Sequence, residues 1–396
     1  MIIADVILYL FLTFDNMKTE QSVFFEPGGW VNRSENNLGT LAQLVLLFGN
    51  KDLLKKQQYI NIVKERYPLA QVVGCSTSGE ICQEEIFNNN IISTAVWFEK
   101  TSVIIAEEPI GSMENSFTIG EKLADRLDRE KLVHVMIFSD GLNINGSELT
   151  KGLNSRLGDR IPVTGGLAGD QANFTETLIV HNRAGEKNLV LAIGFYGENL
   201  LVGYGSMGGW DSFGVDREVT RSNGSILYEL DGHPALELYK RYLGKHASDL
   251  PASALLFPLN LRLKNSETSV VRTVLSVNES DGSMIFAGDI PQGEIVRLMK
   301  ANFDRLIDGA DGAAEMTMTS LRNANPDLAI LISCVGRKLV LKLRAEEEIE
   351  RVREVLGNSA AITGFYSYGE ICPLKPFDNH CELHNQTMTI TAFKEI

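Results

Sequence analysis

The sequence is poor in basic residues. Its 396 residues contain 37 Lys and Arg against 51 Asp and Glu, which gives a formal net charge of −14 at pH 7. Binding to nucleic acid or to an anionic membrane surface depends on dense basic patches that attract phosphate groups. We therefore expect neither nucleic acid nor a membrane among the partners of this protein.

Cysteine is also scarce. Five cysteines stand at positions 75, 82, 334, 372 and 381, an odd number at irregular spacing and without a Cys-x-x-Cys pair. A secreted disulfide framework or a structural zinc site would need paired cysteines at regular spacing. The pattern favours free thiols in a reducing compartment, so we predict a cytoplasmic protein.

Long apolar runs are missing except near the start of the chain. Residues 1–14 are mostly apolar, but Asp5 interrupts them and no Lys or Arg precedes them. A signal peptide would need that basic start, and a membrane helix would need about 20 apolar residues. We expect residues 1–16 to be a dispensable or mis-started leader, with Met17 as the true start. A weak membrane anchor is the alternative.

No catalytic set of residues can be assembled from the sequence. Cys75 has no histidine nearby in sequence to act as its base, and the loops after Gly74 and Gly364 contain no Gly-x-Ser-x-Gly elbow. The stretch Gly203-x-Gly205-x-x-Gly208 fits the dinucleotide fingerprint, but the residues after it do not resemble the start of a helix. We predict that Cys75 is a buried thiol and that the protein is not an enzyme.

One pattern does occur, three times. Each copy has an apolar run, a helical stretch, a second apolar run, a glycine-bounded loop with one acid, and a closing apolar run. The copies cover residues 44–98, 133–195 and 328–393. In the third helical stretch, Ile349, Val352 and Leu356 share one face, as an amphipathic helix requires.

This order predicts an α/β fold with two domains and mixed β-sheets. A helix between the first two strands favours a parallel crossover, and the short return to the third strand suits antiparallel pairing. A stretch rich in glycine and polar residues at 196–222 separates the second copy from the third. We therefore predict an N-terminal domain at 17–215 and a C-terminal domain at 216–396.

The three glycine-bounded loops form the predicted ligand site. Glycine permits close backbone approach, successive N–H groups can cradle a carboxylate, and the acid of each loop would face a ligand's ammonium group. The alternative is that the glycines only form turns and that the acids cap the following segments. The third loop is the strongest candidate because it is richest in aromatic residues. The predicted binding residues are Gly74, Cys75, Ser76, Gly79 and Glu80 in the first loop, Gly165 and Asp170 in the second, and Gly364, Phe365, Tyr366, Tyr368, Gly369 and Glu370 in the third.

Five stretches, in order, resemble the FIST family, which is named for F-box and intracellular signal transduction proteins. They are Val73 to Ile81, Gly165 to Asp170, Asp231 to Tyr239, Gly364 to Ile371 and Cys381 to Thr387. The resemblance implies a sensor with an N-terminal and a C-terminal FIST module that binds a small molecule. Because no output domain is recognisable in the sequence, the expected partner is a separate protein, such as the histidine kinase of a two-component system or a cyclic-di-GMP enzyme.

A subset of the family resembles haem-binding nitric oxide sensors, and this subset implies haem-dependent sensing of nitric oxide as the leading specific hypothesis. The first candidate for the axial haem ligand is His384, which lies in the last of the five stretches; His233, His181 and the Cys372 thiolate follow. A structural histidine is the alternative for each. The competing hypotheses are a sensor of an amino acid or similar small metabolite without haem, and an enzyme of unknown chemistry.

Overall fold

The computed structural model of the protein describes residues 17–262 and 269–396, so the predicted leader at 1–16 lies outside the described residues. The strands, in chain order, are β1 Lys18–Phe25, β2 Gly29–Asn32, β3 Leu44–Gly49, β4 Gln71–Ser76, β5 Glu80–Cys82, β6 Glu85–Phe87, β7 Ile91–Trp97, β8 Ser102–Pro109, β9 Leu132–Ser139, β10 Val163–Leu167, β11 Ile179–His181, β12 Leu189–Tyr196, β13 Leu200–Met207, β14 Asp211–Ser212, β15 Arg217–Asn223, β16 Ile226–Leu230, β17 His233–Pro234, β18 Leu259–Arg262, β19 Ser269–Arg272, β20 Val274–Asn278, β21 Ser283–Phe286, β22 Ile295–Lys300, β23 Leu328–Cys334, β24 Ala361–Ser367, β25 Gly369–Pro373, β26 Cys381–His384 and β27 Met388–Glu395. The helices are α1 Lys51–Leu54, α2 Gln57–Arg66, α3 Ser116–Asp125, α4 Gly146–Leu157, α5 Ala235–Leu243, α6 Phe303–Ser320, α7 Val335–Leu341 and α8 Ala345–Leu356. Within 17–262 and 269–396, no helix has the length and apolar character that a membrane span requires.

Three sheets share one order of four strands, and each set of four belongs to one unit of the chain. The first unit (residues 18–97) has the order β4-β3-β7-β1, the second (102–196) has β10-β9-β12-β8, and the third (200–395) has β24-β23-β27-β13. The first two strands of each order are parallel, and the third runs antiparallel to the second. The predicted α/β class, the mixed sheets and the repeated unit are therefore confirmed.

A helix supplies each parallel crossover, as α8 illustrates. The acidic residues Glu346–Glu348 fill its first turn, where they complement the helix dipole, and Gly357 ends it in a left-handed conformation with φ of 81°. Its apolar face, Ile349, Val352 and Leu356, is buried against β23 and β24. The predicted amphipathic helix is present because the spacing of these residues matches the helical repeat.

The three sheets share one apolar core. Alternate residues of β3, β9 and β23 point into it, while the intervening residues pack against the helices of their own unit. Phe48, Phe138 and Phe365, one from each unit, meet there with ring centroids 4.8, 5.5 and 6.0 Å apart. Full burial of each such ring contributes about 1.5–3 kcal/mol to the stability of the fold.

Each unit also extends an arm to the sheet of another unit. The arm after β4 carries β5, which pairs with β24 of the third unit. The arm after β24 carries β25, which pairs with β10 of the second unit, and the arm after β10 carries β11, which pairs with β4 of the first unit. The three arms form a closed ring, so the loops that begin them must lie close together.

A nine-stranded sheet, β14 to β22, is inserted into the third unit between β13 and α6. We call residues 211–300 the insert. Strand β13, which the predicted boundary assigns to the N-terminal domain at 17–215, pairs with β27 from Leu200 opposite Glu395 to Met207 opposite Met388. A division between 215 and 216 therefore cuts through the third unit, because its first strand and its remaining strands are separated in sequence by the insert.

The glycines of β13 have a packing role. A Cβ atom on Gly203 would collide with the carbonyl oxygen of Thr317, and one on Gly205 with that of Ala313, because α6 crosses directly over the strand. No helix follows Gly208; the chain continues into β14. The glycine-rich stretch therefore lacks the strand-to-helix turn that a dinucleotide site needs.

Candidate functional site

The three glycine-bounded loops meet where the arms begin. We call residues 76–80, 167–171 and 366–370 the loop hub. A backbone hydrogen bond joins each pair of loops: Ser78 N to Tyr366 O (2.8 Å), Gly169 N to Ser76 O (2.9 Å) and Tyr368 N to Leu167 O (3.1 Å). The loops thus converge, as the predicted site requires, but they satisfy one another's backbone groups, which are no longer free to cradle a ligand.

Gly74, Gly165 and Gly364 occupy equivalent places in the second strand of each unit. A Cβ atom on any of them would collide with a carbonyl oxygen of the adjacent parallel strand. Gly165 and Gly364 also have φ values of 147° and 154°, which side chains disfavour. These three predicted binding residues lie inside sheets, where their role is to let neighbouring strands approach.

Glu80 and Glu370 occupy equivalent places in the first and third loops, and both are fully buried. Glu80 accepts a hydrogen bond from Thr77 Oγ1 (2.6 Å), and Glu370 accepts from Ser367 Oγ (2.6 Å) and Thr387 Oγ1 (2.9 Å). Burial raises the pKa of each carboxyl to about 7, although these hydrogen bonds oppose the shift. Since both carboxyls are enclosed by protein, neither faces a ligand's ammonium group.

Replacing Glu370 by glutamine is expected to flatten the dependence of stability on pH. The pKa of Glu370 is about 7 in the folded protein and about 4.3 in an unfolded chain. Between these values the folded state holds more protons, so the free energy of unfolding falls as the pH rises. For this group the fall is about 2 kcal/mol from pH 5 to pH 7. Urea denaturation at both pH values measures it, with Glu65→Gln at an exposed site as control; equal slopes in the parent and Glu370→Gln would contradict the prediction.

The other small residues of the predicted site are also enclosed. Cys75 is fully buried, and burial raises the pKa of its thiol well above the usual range, so it stays protonated and unreactive. Ser76 Oγ accepts a hydrogen bond from Leu178 N (2.9 Å). Gly79 and Gly369 leave room for the side chains packed against them. All four serve the packing of the hub.

Phe365 and Tyr366 are buried on opposite faces of β24. Phe365 belongs to the aromatic core described above, and Tyr366 donates a hydrogen bond to Glu348 Oε1 (2.8 Å). Glu348 in turn forms a salt bridge with Arg337, Nη2 to Oε2 at 2.8 Å, in which both side chains are fully buried. The two aromatic residues that the sequence placed in the ligand site therefore stabilise the fold.

Asp170 organises the second loop and holds Tyr368 in place. Its carboxylate accepts hydrogen bonds from the Tyr368 hydroxyl, Lys51 Nζ (2.9 Å), Thr175 Oγ1 (2.8 Å) and Phe174 N (2.8 Å). Burial by itself would raise the pKa of Asp170, but the bonds from Tyr368, Lys51 and Thr175 hold it at about 2. Asp170 is thus a positioning residue whose charge is already balanced by Lys51.

A cleft of about 250 Å³ opens beside the hub, between the second unit and the insert. We call it the insert cleft. Tyr368 and Phe174 form part of its surface, with ring centroids 4.4 Å apart and planes 15° from parallel. The loop 141–146 lines one side and β21 lines the other, and no charged side chain of the described residues takes part. Its main apolar lining residues are Met113, Leu142, Ile144, Leu167, Leu275, Ile285 and Phe286.

Tyr368 is therefore the one residue of the predicted set that lines this cleft. The residues that form the walls of the insert cleft could not be predicted from the sequence. Leu142, Leu275 and Phe286 are ordinary apolar residues that lie far from the three loops in sequence. Phe174 could have been included in the predicted site, because it closely follows Asp170, the acid of the second loop. Only the docking of the insert against the second unit shows that these side chains share a cleft.

A second cavity, of about 320 Å³, lies between the third unit and the insert. We call it the basic cavity, because its two charged lining residues, Arg305 and Lys375, are both basic. His384, the predicted haem ligand, also lines it. His384 Nε2 lies 2.9 Å from the carbonyl oxygen of Cys372, and burial lowers the pKa of the ring to about 4. The ring is therefore neutral near pH 7.

The surroundings of His384 fit an axial haem ligand poorly. A carbonyl oxygen can only accept, so His384 Nε2 carries the proton, and Nδ1 is the nitrogen that keeps a lone pair for iron. Burial raises the pKa of the Cys372 thiol well above its usual range, which excludes a thiolate, and His181 is paired with Glu107 (2.6 Å). The cavity volume is also at the lower end of the roughly 300–1,000 Å³ usual for small-ligand pockets, and a porphyrin is a large ligand.

The repeated units and the loop hub define an α/β protein with cavities along its insert. A FIST N domain matches residues 43–233 and a FIST C domain matches residues 235–373, so the chain belongs to the FIST family. FIST domains are sensor domains for small ligands in signal transduction. Both cavities have lining residues from each of the two matched domains.

Two similar proteins give further context. An uncharacterized protein of Methanocaldococcus jannaschii is 22% identical over 351 residues, which cover 80% of this chain and 64% of that protein. The chain thus spans less than two thirds of the length of this relative. The crystal structure of a cyanuric acid hydrolase from A. caulinodans aligns over 91% of both chains with 7% identity and a TM-score of 0.35.

Proposed function

We propose that this protein senses a small uncharged molecule that binds in the insert cleft, and that it acts without catalysis. One observation carries the proposal. The cleft lies between the two FIST domains, beside the loop hub, and has no charged side chain among its described lining residues. Ligand sites are commonly apolar clefts between domains with a few polar groups. The nucleophilic groups of the hub are buried and hydrogen-bonded, which supports binding without reaction.

The lining of the cleft favours one class of ligand. A zwitterionic amino acid would lose hydration of both charged groups on entering and would meet no charged partner there, which is costly. An uncharged molecule with a planar face would instead stack on Phe174, a residue that is 43% exposed and lies beside Tyr368. The amino acid hypothesis is therefore less suited to this cleft than an uncharged, partly apolar metabolite.

Binding would produce a signal by changing how the insert packs on the second unit. A ligand in contact with both Leu142 and Phe286 favours the arrangement in which the two walls are close, provided that it binds that arrangement more tightly than the open one. We propose that a separate protein recognises the ligand-bound arrangement. A histidine kinase or a cyclic-di-GMP enzyme, as the family resemblance implies, would be such a partner.

Replacing Phe174 by alanine is expected to weaken ligand binding by about tenfold or more, because it removes the exposed stacking surface of the cleft. Thermal-shift screening with a panel of uncharged metabolites identifies a ligand, and calorimetric titration then gives its affinity for parent and variant. Phe377→Ala is the matched control, since Phe377 is also an exposed phenylalanine with positive φ. A ligand that binds Phe174→Ala as tightly as the parent would not be bound in this cleft.

We expect the protein to carry no haem through His384, even when it is produced with an ample haem supply. The physical reason is that His384 Nε2 is bonded to the Cys372 carbonyl oxygen and that the cavity beside the ring, of about 320 Å³, is small for a porphyrin. The absorption spectrum of the purified protein, before and after haem titration, checks this expectation. A Soret band that shifts with nitric oxide, disappears in His384→Ala and persists in the exposed His380→Ala variant would contradict it and would restore haem-dependent nitric oxide sensing.

A further inference from the structure

The basic cavity differs chemically from the insert cleft. Arg305 and Lys375 line it, and no acidic side chain of the described residues does so. Arg305 forms an ion pair with Asp211 (Nη1 to Oδ1, 2.8 Å), which leaves other guanidinium N–H groups for further bonds. Within 17–262 and 269–396, Lys375 forms no ion pair. The cavity is therefore electrostatically suited to an anion.

A second observation points to a hydrogen-bond donor on that anion. Asn260 lines the same cavity, and its Oδ1 atom is buried without a hydrogen-bond partner in the part of the chain that the structure describes. A buried acceptor left unpaired costs about 1–3 kcal/mol. Asn260 itself is only partly buried, so a rotation of its amide would present this oxygen to a hydroxyl group of a bound molecule, whose donated hydrogen bond would remove that cost.

Several other polar groups of the cavity already have partners inside the protein. Ser206 Oγ is bonded to Thr389 Oγ1 (2.9 Å), Thr387 Oγ1 donates to Glu370, and Trp210 Nε1 donates to a backbone carbonyl oxygen (2.9 Å). The groups that remain for a ligand include the two cations and the Asn260 amide oxygen. The flat ring of Trp210 completes the lining and supplies an apolar surface.

We propose that the basic cavity binds a small hydroxy acid, with its carboxylates at Lys375 and Arg305 and its hydroxyl at Asn260 Oδ1. The cavity volume of about 320 Å³ accommodates a molecule of that size. A ligand with an added ammonium group would be repelled by the two cations. This site is separate from the insert cleft and does not depend on the function proposed for it.

Calorimetric titration of the full chain with malate, and with succinate as the analogue that lacks the hydroxyl, tests the proposal. Trp210 fluorescence gives a second signal from within the cavity. We expect malate to bind more tightly than succinate, and Lys375→Glu to weaken malate binding by about tenfold or more through charge reversal. Lys245→Glu, a charge reversal at another exposed site, is expected to change the affinity by less than about twofold.

Asn260→Ala separates recognition of the hydroxyl from attraction of the charge. In this variant the advantage of malate over succinate is expected to disappear, while succinate binding stays as in the parent. Absence of malate binding up to about 10 mM, or an unchanged malate affinity in Lys375→Glu, would overturn the proposal. Phe174→Ala is expected to leave malate binding unchanged, so failure of the insert cleft as a ligand site would be recognised independently.

Discussion

Replacing Glu348 by glutamine is expected to lower the free energy of unfolding by about 3–5 kcal/mol, because it leaves a buried guanidinium without its counter-ion. Arg337 is fully buried, and its Nε and Nη2 atoms bond to Glu348 Oε2 at 3.0 and 2.8 Å. The other carboxylate oxygen accepts from Tyr366 (2.8 Å) and Ser333 (3.0 Å). The carboxylate thus joins α7, α8, β23 and β24.

Urea denaturation of the parent and Glu348→Gln at pH 7 measures this loss. Glu347→Gln is the matched control, because Glu347 is the neighbouring acid of α8 and its side chain is 44% exposed in its pair with Arg344. We expect the control to unfold at the same urea concentration as the parent. A loss of less than about 1 kcal/mol in Glu348→Gln would mean that the Arg337 charge is compensated elsewhere.

Replacing Asp170 by asparagine is expected to lower the free energy of unfolding by about 2–4 kcal/mol and to weaken binding in the insert cleft. The substitution removes the charge that balances Lys51 and leaves an N–H group facing donors such as Thr175 N and Phe174 N. Tyr368 then loses its strong acceptor. Because Tyr368 and Phe174 form the aromatic surface of the cleft, both stability and ligand affinity should fall together.

The pH dependence of the stability loss in Asp170→Asn distinguishes removal of the carboxylate charge from a simple packing defect. The pKa of Asp170 is about 2 in the folded protein and about 3.9 in an unfolded chain. A lowered pKa contributes stability above the unfolded value, and this contribution is lost as the pH falls from about 4 to about 2. The stability difference between parent and Asp170→Asn should therefore shrink in that range. The exposed Asp52→Asn is the control, and a difference that is constant with pH would show that the charge of Asp170 is not its cause.

The hydrogen-bond networks around Glu348 and Asp170 both belong to the frame formed by the three units. The arms and the hub are hydrogen-bonded around the shared core, and the Arg337–Glu348 pair ties the third unit together. The two cavities both lie where the insert packs against this frame. A sensor needs a rigid part and a part whose packing a ligand can change, and in the proposed function the boundary of the insert would supply the second.

The agreement between sequence and structure is closest for the repeated units. The apolar runs became β3, β9 and β23, and the spacing of Ile349, Val352 and Leu356 became the buried face of α8, because strand and helix periods are properties of the local chain. Agreement was poorer for the predicted site. A loop of glycines, acids and aromatic residues has the same sequence pattern whether its side chains contact a ligand or another loop.

For this protein, the periodicity and the repeated order of apolar runs were enough to predict an α/β fold of three related units, and five short motifs carried the resemblance to its family, since both depend on patterns within short stretches of chain. The exchange of arms and the position of the insert were decided by contacts between residues far apart in sequence, such as Glu80 opposite Phe365 and Leu200 opposite Glu395. Those contacts bury Glu370 and Tyr366, leave Tyr368 at the cleft, and bring Asn260 and Lys375 together around a cavity. Burial determines whether a polar side chain stabilises the fold or is available to a ligand, and burial is a property of the assembled sheets.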